Sequence, residues 1–545
     1  SWLISVTLTP VQCMDMLPDP DRSKDARDPH GGRLFGAFRS TVEGAIRMRW
    51  LTIGFMLVLL VLSLYGFGFV KQLFFPDSSM SKFMIDVWEP EGTRIGRTAE
   101  DLELIEARLL QDDRVESVAT FVGAGPPRFY LPVQPELRNP AYGQLIVNVV
   151  DYRDIDALAA DLSTWARGAL PQALVPVRKF GVGPSNAWKF EARISGPANA
   201  DPEVLRQLAD QVLGALRESP LAGLSQTDWR QRVVRVVPTY NEERARYAGV
   251  SRTDLARATQ QAYDGRRVGT YREGDELIPI VLRFVENERR RVGGLETLQI
   301  QPSQSTTTVP LAQVTDGVEL KWEDPIIVRR DRRRTITVQA NPIQGVTLPS
   351  LSAQVDAKIE QIELPPGYRL EWGGEAESSS DAQQSLLPGV LPAVVVMAII
   401  VVALFNAYRP PLVIALVLPF VVIGITAGLL VSGAAFGFVA LLGAMSLAGM
   451  MIKNAIVLLD QVDINLEQGR APYDALVEAA VSRLSPVVLA AATTVLGVIP
   501  LLQDPFWIGL AVTVMAGLTF GTLVTMVLVP VLYATLYRLR APDRA

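Results

Sequence analysis

"GMMIKNAIVLLD", Gly449 to Asp460, puts a lysine inside an apolar run otherwise long enough to cross a membrane. Ala434 to Ile452 is nineteen residues without a charge, and Ile456 to Leu459 continues the run beyond the break. Lys453 therefore reads as an intramembrane amine. A basic residue at a helix centre costs about 2.5–3.5 kcal/mol on the lenient insertion scale, so such residues face a partner or a water-filled path. The alternative is a lysine that snorkels to the cytoplasmic interface, two turns away. No Asp or Glu lies inside any other span, and Asp460 is at the cytoplasmic edge, so the counter-charge has to come from elsewhere.

Working outward, the 545 residues are 49% hydrophobic and 20% charged, with mean hydropathy +0.22. That is too apolar for a soluble protein and too charged for a pure membrane bundle. A net charge of -5 gives no basic footprint for nucleic acid. Cys13 and His30 are the only residues of their types, which excludes an internal disulfide and disfavours a Cys/His zinc site or a Ser-His pair. Six stretches approach the roughly 20 apolar residues a span needs: Trp50–Val70, Leu386–Ala407, Pro411–Val431, Ala434–Leu459, Pro486–Leu502 and Phe506–Tyr537. Residues 1–17, "SWLISVTLTPVQCMDML", read as the end of a further span rather than a signal peptide, lacking a basic n-region and a small-residue cleavage site.

With alternating spans, Arg22, Lys24, Arg27, Arg33, Arg39, Arg47, Arg49, Arg409, Arg470, Arg483, Arg538, Arg540 and Arg544 fall on one side, which the positive-inside rule makes cytoplasmic. Residues 18–49 form a cytoplasmic linker in which Leu34, Phe38, Val42 and Ile46 recur every four residues, the pattern of an amphipathic helix on the membrane surface. A solvated linker is the alternative. Residues 538–545 form a cytoplasmic tail, and 71–385 lie on the opposite side.

That large block repeats itself. "FMIDVWEP" (Phe83–Pro90) and "FEARISGP" (Phe190–Pro197) align at a shift of 107 residues, at which Ile105 meets Val212 and Leu109 meets Leu216. The first copy, residues 71–188, reads strand, helix, strand, strand, helix, strand, the split βαβ order of ferredoxin-like folds. The second, 189–385, begins alike but is interrupted by an insert at about Tyr240–Arg330, and "ESSSDAQQS" (Glu377–Ser385) reads as a polar link back to the membrane. Residues 386–537 then hold five spans. The expected fold is an α-helical transmembrane bundle plus an α+β domain of duplicated βαββαβ units.

This order resembles the C-terminal half of a resistance-nodulation-cell division (RND) efflux transporter of the hydrophobe/amphiphile, multidrug branch. "SVTLTPVQCMDML" is similar to the end of the family's sixth helix, "KNAIVLLD" to its tenth-helix motif, and "RLSPVVLAAATTVLGVIPL" (Arg483–Leu501) to its eleventh. "NEERARYAGVSRTDL" (Asn241–Leu255) resembles the approach to its docking-domain hairpin. The resemblance implies a homotrimer in a Gram-negative inner membrane, with periplasmic porter subdomains, a docking subdomain facing an outer-membrane channel, and a periplasmic adaptor. It also implies drug/proton antiport, with protons as the coupling ion and no other cofactor or metal. The partner of Lys453 would be a pair of intramembrane aspartates in the N-terminal half of the transporter. The implied proton relay is Lys453, Asn454, Arg483 and Thr494. Ala490 stands where many members have the relay threonine, and Thr494, four residues on, lies on nearly the same face.

The Gly/Pro-rich stretch "FVGAGPPRFYLPVQPELRNPAYGQ" (Phe121–Gln144) falls where the family's flexible loop divides its binding pockets, making Phe121, Gly123, Gly125, Phe129 and Tyr130 the candidate substrate residues. Heavy-metal efflux by the same fold is the nearest alternative, although Met80, Met84, Met445, Met450 and Met451 form no ladder. A protein-translocation accessory of the superfamily usually has a smaller extracytoplasmic domain. A membrane sensor would not need a buried lysine. An enzyme lacks a nucleophile-base pair here.

Overall fold

The computed structural model describes residues 2–16, 32–183, 187–289 and 294–540. Arg22, Lys24, Arg27, His30 and Arg544 lie outside the described residues. The chain opens with α1 (Trp2–Met16), α2 (Arg33–Arg47) and α3 (Arg49–Phe67). The first extramembrane unit is β1 (Lys82–Trp88), α4 (Ile95–Leu109), β2 (Val115–Val122), β3 (Tyr142–Val149), α5 (Ile155–Ala169) and β4 (Val177–Lys179). The second begins with β5 (Phe190–Ser195), α6 (Pro202–Arg217) and β6 (Ala222–Thr227).

An insert follows: β7 (Val233–Tyr240), α7 (Glu242–Tyr247), α8 (Arg252–Tyr263), β8 (Arg266–Glu273), β9 (Glu276–Leu282), α9 (Glu286–Arg289), β10 (Gln299–Ile300), β11 (Val309–Pro310), α10 (Leu311–Val314) and β12 (Thr315–Glu323). The second unit resumes with β13 (Arg329–Arg330), β14 (Arg333–Pro342), α11 (Leu348–Glu360) and β15 (Arg369–Gly373). The remaining helices are α12 (Gly374–Phe405), α13 (Arg409–Val417), α14 (Val421–Ser432), α15 (Phe438–Glu467), α16 (Pro472–Val498) and α17 (Pro505–Leu536). Among the described residues, six spans are long and apolar enough to cross a membrane: α3, α12, α13 with α14, α15, α16 with its continuation to Gln503, and α17.

The repeat is realised strand for strand. The first sheet runs β2-β3-β1-β4 and the second β6-β14-β5-β15, both antiparallel. Each opening strand becomes a central one because its partners come from the second half of its own unit. Ile105, Leu109, Val212 and Leu216, matched at the shift of 107, are all buried on the helix face of their sheets.

Two boundaries differ from the sequence reading. The insert both starts and ends earlier, at Val233 and Glu323, because β7 and β12 pair as a ribbon that carries it away from the second sheet. Its own core gathers Ala245, Leu255, Leu298, Leu311 and Val314, while the β8–β9 hairpin projects with nearly every residue exposed. The polar link "ESSSDAQQS" has no loop of its own. It is helical, the opening turns of the 32-residue α12, and Gln383 and Gln384 donate to the hydroxyls of Ser379 and Ser380 one turn back.

The amphipathic helix expected over residues 34–46 is α2, with Val42 and Ile46 buried against the bundle and Arg39 paired with Glu478 of α16. Within the bundle, α17 is the central helix and α3, α12 and α16 are peripheral. In hydrocarbon, helices associate by close packing of small residues rather than by a hydrophobic drive. A Cβ on Gly424 of α14 would lie 2.8 Å from the main-chain oxygen of Ala516 and 3.0 Å from Cα of Gly517. One on Gly517 would lie 2.2 Å from Leu447 Cδ2 of α15. Because Gly424 meets backbone, no rotamer change relieves the clash. Gly424→Ala is expected to destabilise the bundle by about 1–3 kcal/mol, seen as a lower thermal midpoint in detergent. Gly54→Ala, whose Cβ meets nothing within 4 Å, should leave that midpoint unchanged.

Candidate functional site

The face of α15 carrying Lys453 is set by what lies behind it. Leu447, Met451, Ala455, Leu458 and Val462 are buried against the bundle, and the Met451 thioether accepts from the Thr525 hydroxyl of α17 at 3.7 Å. At the cytoplasmic end the buried Asn465 donates to the carbonyl of Ala475 at 2.9 Å, tying α15 to α16. On the opposite side Leu442, Met445, Ser446, Gly449, Lys453, Asp460, Ile464 and Glu467 are exposed. Apart from the adjacent pair Met445 and Ser446, these positions follow one another by three, four or seven residues, so they form a single stripe. Lys453 sits at its middle with no ion pair or hydrogen bond among the described residues.

The four expected relay residues are not brought together within this chain. Asn454, one position on, is turned roughly 100° away and is buried at 4% exposure. Arg483 is partly exposed on α16, and its Nε is buried without a hydrogen-bond partner among the described residues. Thr494 lies eleven residues further along α16, about 16 Å by helical rise. Its hydroxyl donates to the Ala490 carbonyl at 2.9 Å, and Thr493 donates to the same oxygen at 3.0 Å. The side chain at 490 is missing as a hydroxyl, but its carbonyl is occupied by both neighbouring threonines.

The second expected site is the loop between β2 and β3. It is pinched at its base, where Gly123 (φ +75°) donates to the Tyr142 carbonyl at 2.8 Å and accepts from the Asn139 N–H at 3.0 Å. The left-handed φ is where glycine has no steric penalty. The loop folds over the sheet face that α4 and α5 leave bare. The Tyr130 hydroxyl donates to the Gly181 carbonyl at 2.8 Å, and the rings of Phe129 and Tyr130 meet Phe180 edge-on at 5.9 and 5.4 Å. Phe180, Met84 and Val133 are buried there. Phe121 lies on β2 opposite Gln144, and a Cβ on Gly125 would approach Gln144 Oε1 to 3.2 Å. Phe129 and Tyr130 thus pack on Phe180 and Phe121 and Gly125 border Gln144, whereas Gly123 lies at the base of the loop, where a Cβ would meet Ile95 Cδ1 of α4 at 2.8 Å.

Beneath that loop lies a set of charges that the sequence reading missed. Asp86, 3% exposed, accepts from the Tyr142 hydroxyl and Gln144 Nε2 at 2.7 Å each and from Arg178 Nε at 2.6 Å. Burial works against the charge on Arg178, but Asp86 outweighs it and raises the guanidinium pKa. Glu136, from the loop, faces the same cluster. Burial pushes its carboxyl up, Asp86 adds to this, and Arg178 and Arg230 oppose it. Burial and Asp86 likewise hold the Tyr142 hydroxyl protonated, as a donor. One signal was available: "FMIDVWEP" carries a carboxylate on a strand flanked by apolar residues, and a central strand has no solvent edge.

Among the described residues, six spans divided one and five around a duplicated α+β domain, with an unpaired lysine on α15, the fourth span counted from α3, define the fold of an RND transporter. The AcrB/AcrD/AcrF family model matches residues 1–537, and the chain belongs to that family of transporters. Among solved structures it is similar to a heavy metal efflux pump in two crystal forms, at TM-scores of 0.77 and 0.75 with 22% and 21% identity. Each match covers 93% of this chain but 52% and 51% of the solved one, so the chain spans about half the length of the structures it matches.

Removing Asp86 leaves the buried Arg178 uncompensated, a cost of about 3–5 kcal/mol. Asp86→Ala should lower the opening free energy of β1 amides by that order in hydrogen exchange on the full chain. Asp86→Ala combined with Arg178→Leu should recover part of the loss.

Proposed function

We propose that this chain is the C-terminal half of a proton-motive-force-driven efflux transporter that exports hydrophobic or amphiphilic compounds. The observation that carries the reading is the uncovered stripe on α15. An ammonium in hydrocarbon without a counter-charge is costly, and the stripe has the length and the small residues, Ser446 and Gly449, that let another helix approach closely. Its occupant is the N-terminal half of the same transporter, carrying intramembrane aspartates. Protonation of an aspartate frees the amine, and the change in charge biases helix packing between two states. Asn454 and Arg483 flank this element, and the Thr494 hydroxyl takes part by leaving the Ala490 carbonyl. The assembly is a homotrimer in a Gram-negative inner membrane, working with a periplasmic adaptor and an outer-membrane channel.

The loop over the first sheet, with Phe121, Gly123, Gly125, Phe129 and Tyr130, is the substrate-contacting element of this reading. Its aromatic rings suit amphiphiles. Export of heavy-metal cations is the second reading, favoured by the likeness in fold to a heavy metal efflux pump.

The test is dye efflux from pump-deficient Gram-negative cells expressing this chain with its N-terminal half, comparing wild type with Lys453→Met at matched membrane levels. Wild type should extrude dye and Lys453→Met should fall to the level of the pump-deficient host. Equal extrusion would overturn the coupling role of Lys453. Copper or silver tolerance that depends on Lys453, without dye efflux, would replace the amphiphile reading with the metal one.

A further inference from the structure

A second buried acid cluster lies on the opposite side of the first unit, between the end of β1 and α4. Glu89 is 1% exposed and Asp101 is 2% exposed. Glu89 Oε1 and Asp101 Oδ2 each lack a hydrogen-bond donor among the described residues, and the two carboxyl groups are within hydrogen-bonding reach of each other. As two carboxylates they would present only acceptors to one another, and a buried acceptor left unpaired is costly.

The surrounding charges do not balance two ionised groups. Arg97 of α4 reaches Asp101 Oδ1 at 2.7 Å, and on its exposed side it meets Glu100 at 3.4 Å. Gln172, from the α5–β4 connection, offers Glu89 a neutral amide. Arg230 donates to the main-chain oxygen of Glu89 at 3.2 Å, but its charge is matched by Glu91 at 3.3 Å. The hydroxyl of Thr98 is committed to the Pro140 carbonyl at 2.7 Å. Arg97 is therefore ion-paired with Asp101 and acts on Glu89 only at longer range, and no cation pairs with the Glu89 carboxylate among the described residues.

We infer that Glu89 and Asp101 bind one shared proton, a proton site in the extramembrane domain separate from Lys453. The proton supplies the missing donor to both orphan oxygens and removes the unbalanced charge. Burial, followed by Asp101, raises the Glu89 pKa above the ordinary glutamate value, with Gln172 and Arg97 acting against it. Because the folded state holds its proton more tightly than the unfolded chain, this site stabilises the fold less as pH rises above the ordinary glutamate range, until the folded-state titration is complete. The effect reaches the neighbouring unit. Glu91, two residues beyond Glu89, binds Arg230 of the β6–β7 connection and Asn139 at the base of the loop, so loosening Glu89 loosens the clamp between the two units.

The test uses the full chain in detergent, with hydrogen exchange over residues 89–101 from about pH 5 to about pH 9 after correction for intrinsic exchange. In wild type, protection should fall by up to about tenfold per pH unit within the titration window. In Glu89→Gln, whose amide donates to Asp101 without a proton, the loss should be absent. A carboxylic-acid C=O infrared band that persists in wild type above the ordinary glutamate range should be absent in the same variant. Identical pH dependence in both proteins, or no difference in that band, overturns the inference. Should Glu89→Gln fail to fold, Asp101→Asn provides the same two readings, and a wild-type profile without pH-dependent loss is by itself sufficient to overturn it.

Discussion

The contact between α15 and α17 orients everything else in the membrane half. It is a contact of side chain on backbone, with Leu447 over Gly517 and Met451 over Gly521, and it admits little rotation of either helix. With that face of α15 committed, the position of Lys453 follows from helical periodicity alone. The stripe around it points away from the bundle because the opposite stripe is filled. A bundle held by glycine contacts in this way has few alternative packings, since an added Cβ would strike the Leu447 or Met451 side chain at Gly517 and Gly521 and backbone at Gly424.

The extramembrane half is organised by charge as much as by apolar burial. Its two sheets each bury one face under helices in the ordinary way. The bare face of the first sheet is covered by a loop, and the polar groups there are paired with one another: Asp86 alone takes donors from three residues on two strands. Trp88 extends the arrangement, with its ring against Tyr142 at 4.3 Å and the Arg230 guanidinium over it at 4.4 Å. Arg230 comes from the connection between β6 and β7, so one cation joins the two units and the start of the insert.

Much of this was legible in the sequence, for identifiable reasons. Spans are visible because hydrocarbon tolerates so few residue types, and the duplication because the same buried positions recur at a fixed shift. What was not visible falls into two kinds. Boundaries were misplaced where a local pattern has two readings: the serines and glutamines of residues 379–385 suit a solvated helix as well as a link, and β7 and β12 alternate like any strand of the sheet they leave. Pairings were missed where sequence distance hides them, as with Arg178 and Asp86, 92 residues apart, and Tyr142 and Asp86, 56 apart. The relay quartet was legible as residue types, but whether its members converge depends on surfaces that this chain leaves uncovered.

The continuity of α12 has a mechanical meaning. Strand β15 passes into the helix through Gly373 and Gly374 with no intervening loop, and the 32 residues that follow extend for about 48 Å. Such a rod acts as a lever whose short arm is anchored in the second sheet and whose long arm lies in lipid. A tilt of about 5° at the strand end sweeps the far end through about 4 Å, the scale on which packed helices exchange one set of grooves for another. Pro388 and Pro392, inside the helix, are the points at which that leverage can be absorbed.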